Sequence, residues 1–256
     1  MSSIVLCIFE GLRSEQVIAN NLFVHFLTET DKVILRASYG FNLYKLYQEI
    51  SKDEFFDTYE IICEQLRARS GSLRPEESQV LDIDDPEKIS DIYLFFDYDC
   101  HCSNANDQKL ESMLSTFDDP QERGLLCVSY PMLEAIRHQE SNRFKETRHS
   151  TSDLQGYKRW ITNCTELDRR YRNWGLFDLI IWSEIIVQHL ARANKLVNEQ
   201  LCLPDSPLLQ IEIFIKQLEK HLPSNEIAVL SAFPLMLFDY YGSHLFKLLE
   251  TQISEN

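Results

Sequence analysis

The sequence predicts an α/β fold, in which a parallel sheet of about four strands is flanked by helices and followed by an all-helical C-terminal region. Over the first 150 residues, short apolar runs alternate with stretches that have apolar side chains at helical spacing. Beyond about residue 153 only the helical spacing remains. The 256 residues include seven glycines, about half the usual share of roughly 7%, which favours helices over tight turns. We therefore expect an α/β domain over residues 1–150 and a helical region over residues 151–256.

The elements of the first half follow one another in a simple order. Residues 3–9 (SIVLCIF) are an apolar run typical of a buried strand, and residues 13–29 carry apolar side chains at helical spacing. Residues 32–37 (KVILRA) form a second strand, so the chain opens with the β-α-β unit of a parallel sheet. An insertion of helices and loop over about 42–90 precedes two more strands. The expected segments are helices near 43–51 and 53–69, a surface loop over 70–87, a strand at 91–96, a helix at 107–117, a turn at 118–120, a strand at 124–130 and a helix beginning near Met132.

The second half shows three amphipathic segments separated by proline and asparagine. We expect helices over residues 173–194, 206–221 and 234–253 and no strand among them. The aromatic run from Phe233 to Tyr241 is either core or a subunit interface, so the helical region is a candidate surface for a homodimer.

Charge and cysteine content restrict the classes of partner and compartment. The net charge of −15 means that the protein as a whole does not attract nucleic acid, so any such contact needs local cations, a bound metal ion or a basic partner. Residues 137–172 hold nine basic and five acidic side chains, which is typical of either a solvated face or a binding stripe. Seven cysteines, an N-terminus without a basic leader and no long apolar run predict a cytoplasmic protein without a membrane span.

Acidic side chains follow two of the predicted strands. Glu10 follows the first strand, while Asp97 and Asp99 follow the apolar run DIYLFF. Ligands of parallel sheets bind at the carboxyl ends of the strands, so these three carboxylates are expected to converge, with Glu15 on the next helix leaning toward them. Grouped carboxylates repel each other, and a divalent cation such as Mg²⁺ or Mn²⁺ removes that cost. The pattern therefore predicts a metal site suited to phosphate chemistry.

The same residues resemble the motifs of the TOPRIM domain. The run IVLCIFEGLRSE (residues 4–15) is similar to the first TOPRIM motif, and YLFFDYD (residues 93–99) is similar to the second. The strand at 124–130 with the following PMLE (residues 131–134) resembles bacterial TOPRIM-like proteins found near defence ATPases. The resemblance covers roughly residues 1–140 and implies a TOPRIM-like (Rossmann-like) sheet.

The resemblance also implies a function. TOPRIM domains occur in topoisomerases, primases and overcoming-lysogenization-defect-type nucleases, and in small effectors of bacterial phage defence. By this resemblance Glu10 acts as general acid/base or metal ligand, Asp97 and Asp99 hold Mg²⁺, and Glu15 binds a second metal ion. The expected activity is phosphodiester cleavage in RNA, including tRNA, or DNA, with a partner protein such as an ATPase.

Three further side chains are candidates for contact with nucleic acid. His101 follows the Asp97/Asp99 pair, while Lys158 and Arg159 stand beside Trp160, a ring on which a base can stack. Each also has a structural interpretation, since Arg and Trp at this spacing commonly pack against one another. Glu134 is either a further ligand or an acid at the start of a helix.

Two other functions fit the sequence. An apolar run ending in Asp-x-Asp resembles that of haloacid-dehalogenase-like phosphatases, where Asp97 would be the nucleophile. That family usually has Thr or Val two positions after the second Asp, where this chain has His101. The chain could also be a non-catalytic interaction module that keeps the TOPRIM fold. It has no Walker A or dinucleotide-binding glycine motif, so ATP binding through those loops is not expected.

Overall fold

The computed structural model describes residues 3–27, 32–98, 100–139 and 146–254. The strands are β1 (Ile4–Phe9), β2 (Val33–Ser38), β3 (Ile89–Asp97), β4 (Asp118–Asp119), β5 (Gly124–Ser129), β6 (Arg148–Ser150) and β7 (Glu226–Ala228). The α-helices are α1 (Ser14–Phe26), α2 (Leu43–Ile50), α3 (Thr58–Ala68), α4 (Pro75–Leu81), α5 (Asp107–Thr116), α6 (Leu154–Asn163), α7 (Leu179–Asn198), α8 (Gln210–Lys220), α9 (Ala232–Tyr241) and α10 (His244–Ser254).

The predicted α/β class is confirmed by a mostly parallel sheet in the order β2-β1-β3-β5-β4. β1 pairs in parallel with β2 on one side and with β3 on the other. The sheet has five strands rather than about four, because Asp118 and Asp119 pair antiparallel with Leu125 and Gly124. The sequence indicated only a turn there, since two residues are too few to show a strand period.

The strand order contains a topological switch point between β1 and β3. From β1 the chain moves to β2 on one side and later returns to β3 on the other side. Phe9, the last residue of β1, pairs with Ser38 of β2 and with Phe95 of β3. The three strands therefore end almost in line, and the adjacent carboxyl ends define the place where parallel sheets bind ligands.

Contacts divide the chain into two compact units. The first consists of Met1–Phe96 and Ser103–Leu126, and the second of Asp97–Cys102 and Cys127–Asn256. The core of the first unit is built on β1, where all six residues are buried, and Phe9 stacks on Phe95 with ring centroids 4.9 Å apart. The core of the second unit is aromatic, and its fully buried side chains include Trp182, Phe214, Phe233 and Phe238.

The prediction of a surface loop over residues 70–87 is wrong in one respect, because this segment contains the helix α4. Pro75 occupies the first turn of this helix, and the Glu77 carboxylate accepts a hydrogen bond from the Arg74 amide at 3.0 Å. Glu77 is 2% exposed and also accepts from the amide of Ser38, at the end of β2. The contact that stabilises α4 is thus distant in sequence, which explains why local composition indicated a loop.

The prediction of an all-helical C-terminal region is also corrected. Glu226–Ala228 form β7, which pairs antiparallel with β6. The helix expected over 234–253 is two helices, α9 and α10, separated at Gly242, whose φ of +54° suits glycine. The aromatic run that begins at Phe233 is mostly buried within the second unit.

The predicted helix over residues 13–29 is observed as α1, and its last two predicted residues lie outside the described part of the chain. In the ranges that the structure describes, none of the helices is both long and apolar enough to cross a membrane.

Candidate active site

Hydrogen bonds of its main chain hold Glu10 at the carboxyl end of β1, next to the topological switch point between β1 and β3. Its N–H donates to the carbonyl of Phe95 in β3 at 2.9 Å, and its own carbonyl accepts from the N–H of Gly40 at 3.0 Å. Gly40 follows β2, so residue 10 is bonded toward the ends of both neighbouring strands. The side chain of Glu10 is partly exposed. The main chain of residue 10 is therefore fixed from both sides, which sets the point from which its side chain leaves the sheet edge.

Glu15 folds back onto the turn that follows Glu10. Its Oε1 accepts a hydrogen bond from the Gly11 N–H at 3.0 Å. A Cβ at position 11 would come within 2.3 Å of this carboxylate, so a larger residue there would displace the end of the Glu15 side chain from the turn. Glu15 therefore stabilises the turn through its Oε1 atom.

Asp97 is the last residue of β3 and is partly exposed. The next residue, Tyr98, is buried and donates its N–H to the carbonyl of Ser129 at 3.0 Å, which ties this segment to the end of β5 within the second unit. Asp99 lies outside the described residues. The structure thus places Glu10 after β1 and Asp97 at the end of the neighbouring parallel strand.

These side chains have the donor chemistry that Mg²⁺ prefers. The ion usually takes one or two carboxylates and completes its octahedron with water and phosphate oxygens. In the described ranges, which exclude Asp99, no group of three or more His, Cys, Asp or Glu side chains is arranged to hold a metal ion. Glu10, Glu15 and Asp97 are the predicted ligands within those ranges, and they do not form such a group.

His101 connects the segment after Asp97 to the start of α6. Its Nε2 lies 2.8 Å from the carbonyl oxygen of Thr151, three residues before the helix. Because that carbonyl can only accept a hydrogen bond, the Nε2 atom carries a proton in this arrangement. His101 thus has a structural contact within the second unit.

Lys158 and Arg159 both lie on the exposed side of α6. The Lys158 ammonium lies 3.0 Å from Oε1 of Glu134, whose side chain is 3% exposed. Lys158 therefore has an acidic partner, and Arg159 is the next exposed residue of α6. Trp160 is 38% exposed and contacts the ring of His149 at a centroid distance of 5.0 Å.

Much of the positive charge of residues 137–172 is used inside the second unit. Arg148 forms ion pairs with Glu146 and Glu226, and Arg170 forms ion pairs with Asp168 and Glu184. The interpretation as one continuous binding stripe is therefore weaker than composition suggested. The segment also includes Arg143 and Lys145, which lie outside the described residues.

Sequence reasoning missed a cluster of arginines at the end of β2, in the first unit. Arg69 and Arg74 extend from the α3–α4 region to Ser38, which is fully buried. Between them lies the buried carboxylate of Glu77, at 3.4 Å from Nη2 of each arginine. Burial acts to raise the pKa of Glu77, but hydrogen bonds from the Arg74 and Ser38 amides, together with the two guanidinium charges, hold that pKa below its usual value. No local pattern marks these residues, because only the fold brings them to β2.

Comparison with known proteins supplies no relative. No family model, curated protein or solved structure matches the chain.

Proposed function

We propose that this chain is a TOPRIM-like nuclease that uses Mg²⁺ or Mn²⁺ to cleave phosphodiester bonds. Its substrate is RNA, with tRNA among the candidates, or DNA. The observation that carries the proposal is the position of Glu10, which is hydrogen-bonded to Phe95 of β3 and to Gly40 after β2 at the switch point. An acid held there stands where parallel sheets bind their ligands. The motifs around Glu10 and Asp97 support the TOPRIM assignment.

In this proposal Glu10, Asp97 and Asp99 are the catalytic residues and would hold the ion, with Glu15 as a further ligand. A bound divalent ion supplies a Lewis acid for the phosphoryl oxygen. We assign proton transfer to Glu10, an assignment supported by a main chain that is fixed on both sides and by a residue that is partly exposed. Glu15 keeps the Glu10-Gly11 turn in shape through the Gly11 N–H.

The proposed biological role is that of an effector in bacterial defence against phages, restrained or recruited by a partner such as an ATPase. The net charge of −15 supports a need for such a partner, because an acidic protein as a whole repels nucleic acid. Binding then depends on local cations, which a basic partner or a metal ion can supply. A cytoplasmic location and a homodimer formed through the helical C-terminal region belong to the same proposal.

The test compares Glu10→Gln and Asp97→Asn with wild type and with Glu60→Gln, an exposed acid of α3. Each protein is incubated with total cellular RNA and with plasmid, in Mg²⁺ or in EDTA, and products are resolved on gels. We expect Mg²⁺-dependent cleavage by wild type and by the control, and a loss of at least about a hundredfold in the two site variants. Circular dichroism establishes that all four proteins are folded.

Metal binding gives a second readout that does not need a partner protein. Calorimetric titration with Mn²⁺ should show binding to wild type and to Glu60→Gln and reduced binding to Asp97→Asn. Cleavage that persists in EDTA or in folded Asp97→Asn would refute the site assignment. Absence of both cleavage and metal binding in the wild type would favour the non-catalytic interaction module.

A further inference from the structure

We infer that Arg69 is a phosphate-binding residue at the carboxyl end of β2, where it contacts the nucleic-acid backbone next to Glu10. This inference rests on the proposed nuclease function and names a substrate contact for the same edge of the sheet. All of the residues that carry it belong to the first unit.

The guanidinium of Arg69 lies beside the main chain that carries Glu10. A Cβ built on Gly40 would be 3.7 Å from Nη1 of Arg69, so this nitrogen lies against the glycine. The N–H of Gly40 donates to the carbonyl of Glu10 at 3.0 Å. The φ of Gly40 is +82°, a conformation that favours glycine.

Only one edge of the Arg69 guanidinium is used within the protein. Nη2 donates to the Ser38 carbonyl and lies 3.4 Å from the Glu77 carboxylate. In the part of the chain that the structure describes, neither Nη1 nor Nε has a hydrogen-bond acceptor. Nε is buried, which leaves Nη1 as the donor that a ligand can reach, and the side chain is 19% exposed.

The orientation of Arg69 is fixed before any ligand binds. Ser38 is fully buried, and its hydroxyl accepts from Gln16 at 3.1 Å and from Arg74 at 2.8 Å. Glu77 is held by the Ser38 amide, so the groups that anchor Nη2 are themselves anchored. A guanidinium that is already ordered loses little entropy on binding, and its planar donors suit a phosphate oxygen.

The favoured ligand is a phosphodiester rather than a carboxylate of a protein partner, because this edge also presents the carboxylates of Glu10 and Glu15. An acidic peptide would be repelled by those groups. A phosphodiester substrate brings its negative charge to an edge where the proposed metal ion and Arg69 together provide positive charge. Arg69 would bind the phosphate that is cleaved or an adjacent one.

The experiment measures binding with Ca²⁺ in place of Mg²⁺, so that a hard divalent cation still compensates the carboxylates at this edge. Binding rather than product formation is the readout, and a parallel titration in EDTA shows how much of the affinity depends on the ion. A short fluorescein-labelled oligoribonucleotide is titrated with wild type, Arg69→Ala, Arg69→Gln, Glu10→Gln and the control Arg67→Ala, over a series of salt concentrations. Arg67 is also on α3, but its side chain is 59% exposed and faces Glu60. We expect both Arg69 variants to bind about tenfold more weakly. Their plot of log affinity against log salt should be shallower by about 0.7, as for one lost phosphate contact on a single strand.

Wild type provides a test that needs no variant. Hydrogen–deuterium exchange followed by mass spectrometry should show slower exchange in the segments that contain Arg69 and Gly40 when oligoribonucleotide is saturating, while α8 of the second unit exchanges at the same rate with and without it. If exchange in those two segments is not slowed, or if folded Arg69→Gln binds like wild type, the inference is overturned. Wild type that does not bind the probe at low salt overturns it as well.

The two proposals can fail separately. Loss of cleavage in Glu10→Gln together with normal binding and cleavage by Arg69→Gln would remove Arg69 and leave the nuclease proposal intact. Arg69-dependent binding by a protein that neither cleaves RNA or DNA nor binds Mn²⁺ would remove the nuclease proposal and leave a nucleic-acid-binding module.

Discussion

At the scale of single residues, the first unit depends on a buried acid that the sequence did not single out. Glu77 and Glu76 are neighbours on α4, yet their surroundings differ sharply. Glu77 is 2% exposed and accepts hydrogen bonds from two backbone amides, whereas Glu76 has a side chain that is 43% exposed and one ion pair to Arg36 at 3.3 Å. Two matched substitutions, one at each position, can therefore measure how much more the buried glutamate contributes to the free energy of unfolding than the exposed one.

Glu77→Gln should lower the free energy of unfolding by about 2–3 kcal/mol, because the negative charge between the two arginines is removed and one acceptor oxygen becomes an NH₂ donor. Glu76→Gln should cost less than about 1 kcal/mol, as is usual for an exposed ion pair. Urea unfolding followed by circular dichroism measures both. Equal effects of the two substitutions would contradict the role of the buried network.

The pH dependence of this difference has a definite sign. The folded-state pKa of Glu77 is lowered, so its stabilising effect is complete above the ordinary glutamate pKa of about 4.3 and is lost as the pH falls through the folded-state value. The gap between wild type and Glu77→Gln should therefore be constant near neutral pH and shrink in acid.

At the scale of secondary-structure elements, a helix side chain completes the edge of the short strand β7. Gln217 of α8 is fully buried, and its Oε1 accepts from the Ala228 N–H at 2.9 Å while its Nε2 donates to the Ala228 carbonyl at 2.8 Å. The amide thus takes the place of a neighbouring strand on the side of β7 that faces away from β6. A two-stranded sheet is marginal alone, so this contact is a main support of β7.

Gln217→Met replaces the amide with an apolar chain of similar length and leaves both Ala228 groups unpaired in the interior. The expected cost is about 2–4 kcal/mol, from two buried polar groups at about 1–2 kcal/mol each. Glu219→Gln, whose side chain is 54% exposed on the same helix, should change stability by less than about 0.5 kcal/mol. Denaturant unfolding followed by tryptophan fluorescence measures both, and a neutral Gln217→Met would show that β7 does not need this support.

The elements that the sequence predicted well are those whose signal is local. The apolar runs of β1, β3 and β5 and the helical spacing of α1 and α5 are strong enough to identify each element, and β-α-β connectivity then indicates a parallel sheet. The positions of Glu10 and Asp97 relative to strand ends followed from the same runs. In contrast, β7 has only three residues, and its hydrogen bonds go to the Gln217 side chain and to β6. These partners are distant in sequence, so no local pattern predicts the strand.

The missed site residues have the same explanation. Arg69 ends a predicted helix and Arg74 lies in a predicted loop, and neither position carries a local signature. Their role depends on Ser38, more than thirty residues earlier in the chain, which only the folded structure brings close. Conversely, Lys158 looked available in the sequence because its partner Glu134 is distant along the chain.

At the scale of the whole molecule, the two units differ in the groups that govern their response to acid. The buried or partly buried histidines of the second unit include His149, His189 and His221. Burial lowers the pKa of each, and for His189 the Arg192 charge and His138 lower it further. All three are therefore neutral in the folded protein at pH values where free histidine gains a proton.

The sign of the effect follows from proton binding. In the unfolded chain these histidines take up protons below the ordinary pKa of about 6.5, and in the folded chain they do so only at lower pH. The unfolded state thus binds more protons, and the stability of the second unit should fall as the pH drops below about 6.5. Each histidine contributes at most about 1.4 kcal/mol per pH unit.

The three tryptophans make this measurable in the second unit alone, because Trp160, Trp174 and Trp182 all belong to it. Urea unfolding followed by tryptophan fluorescence between pH 8 and 5 should give a free energy that is flat at first and then decreases below about 6.5. His189→Gln should make the decrease shallower, because it removes the fully buried histidine, while substitution of the exposed His244 serves as the matched control. If wild type and His189→Gln have the same slope, then His189 is not the group that resists protonation. The fall in stability would then depend on His149 and His221, which are less completely enclosed.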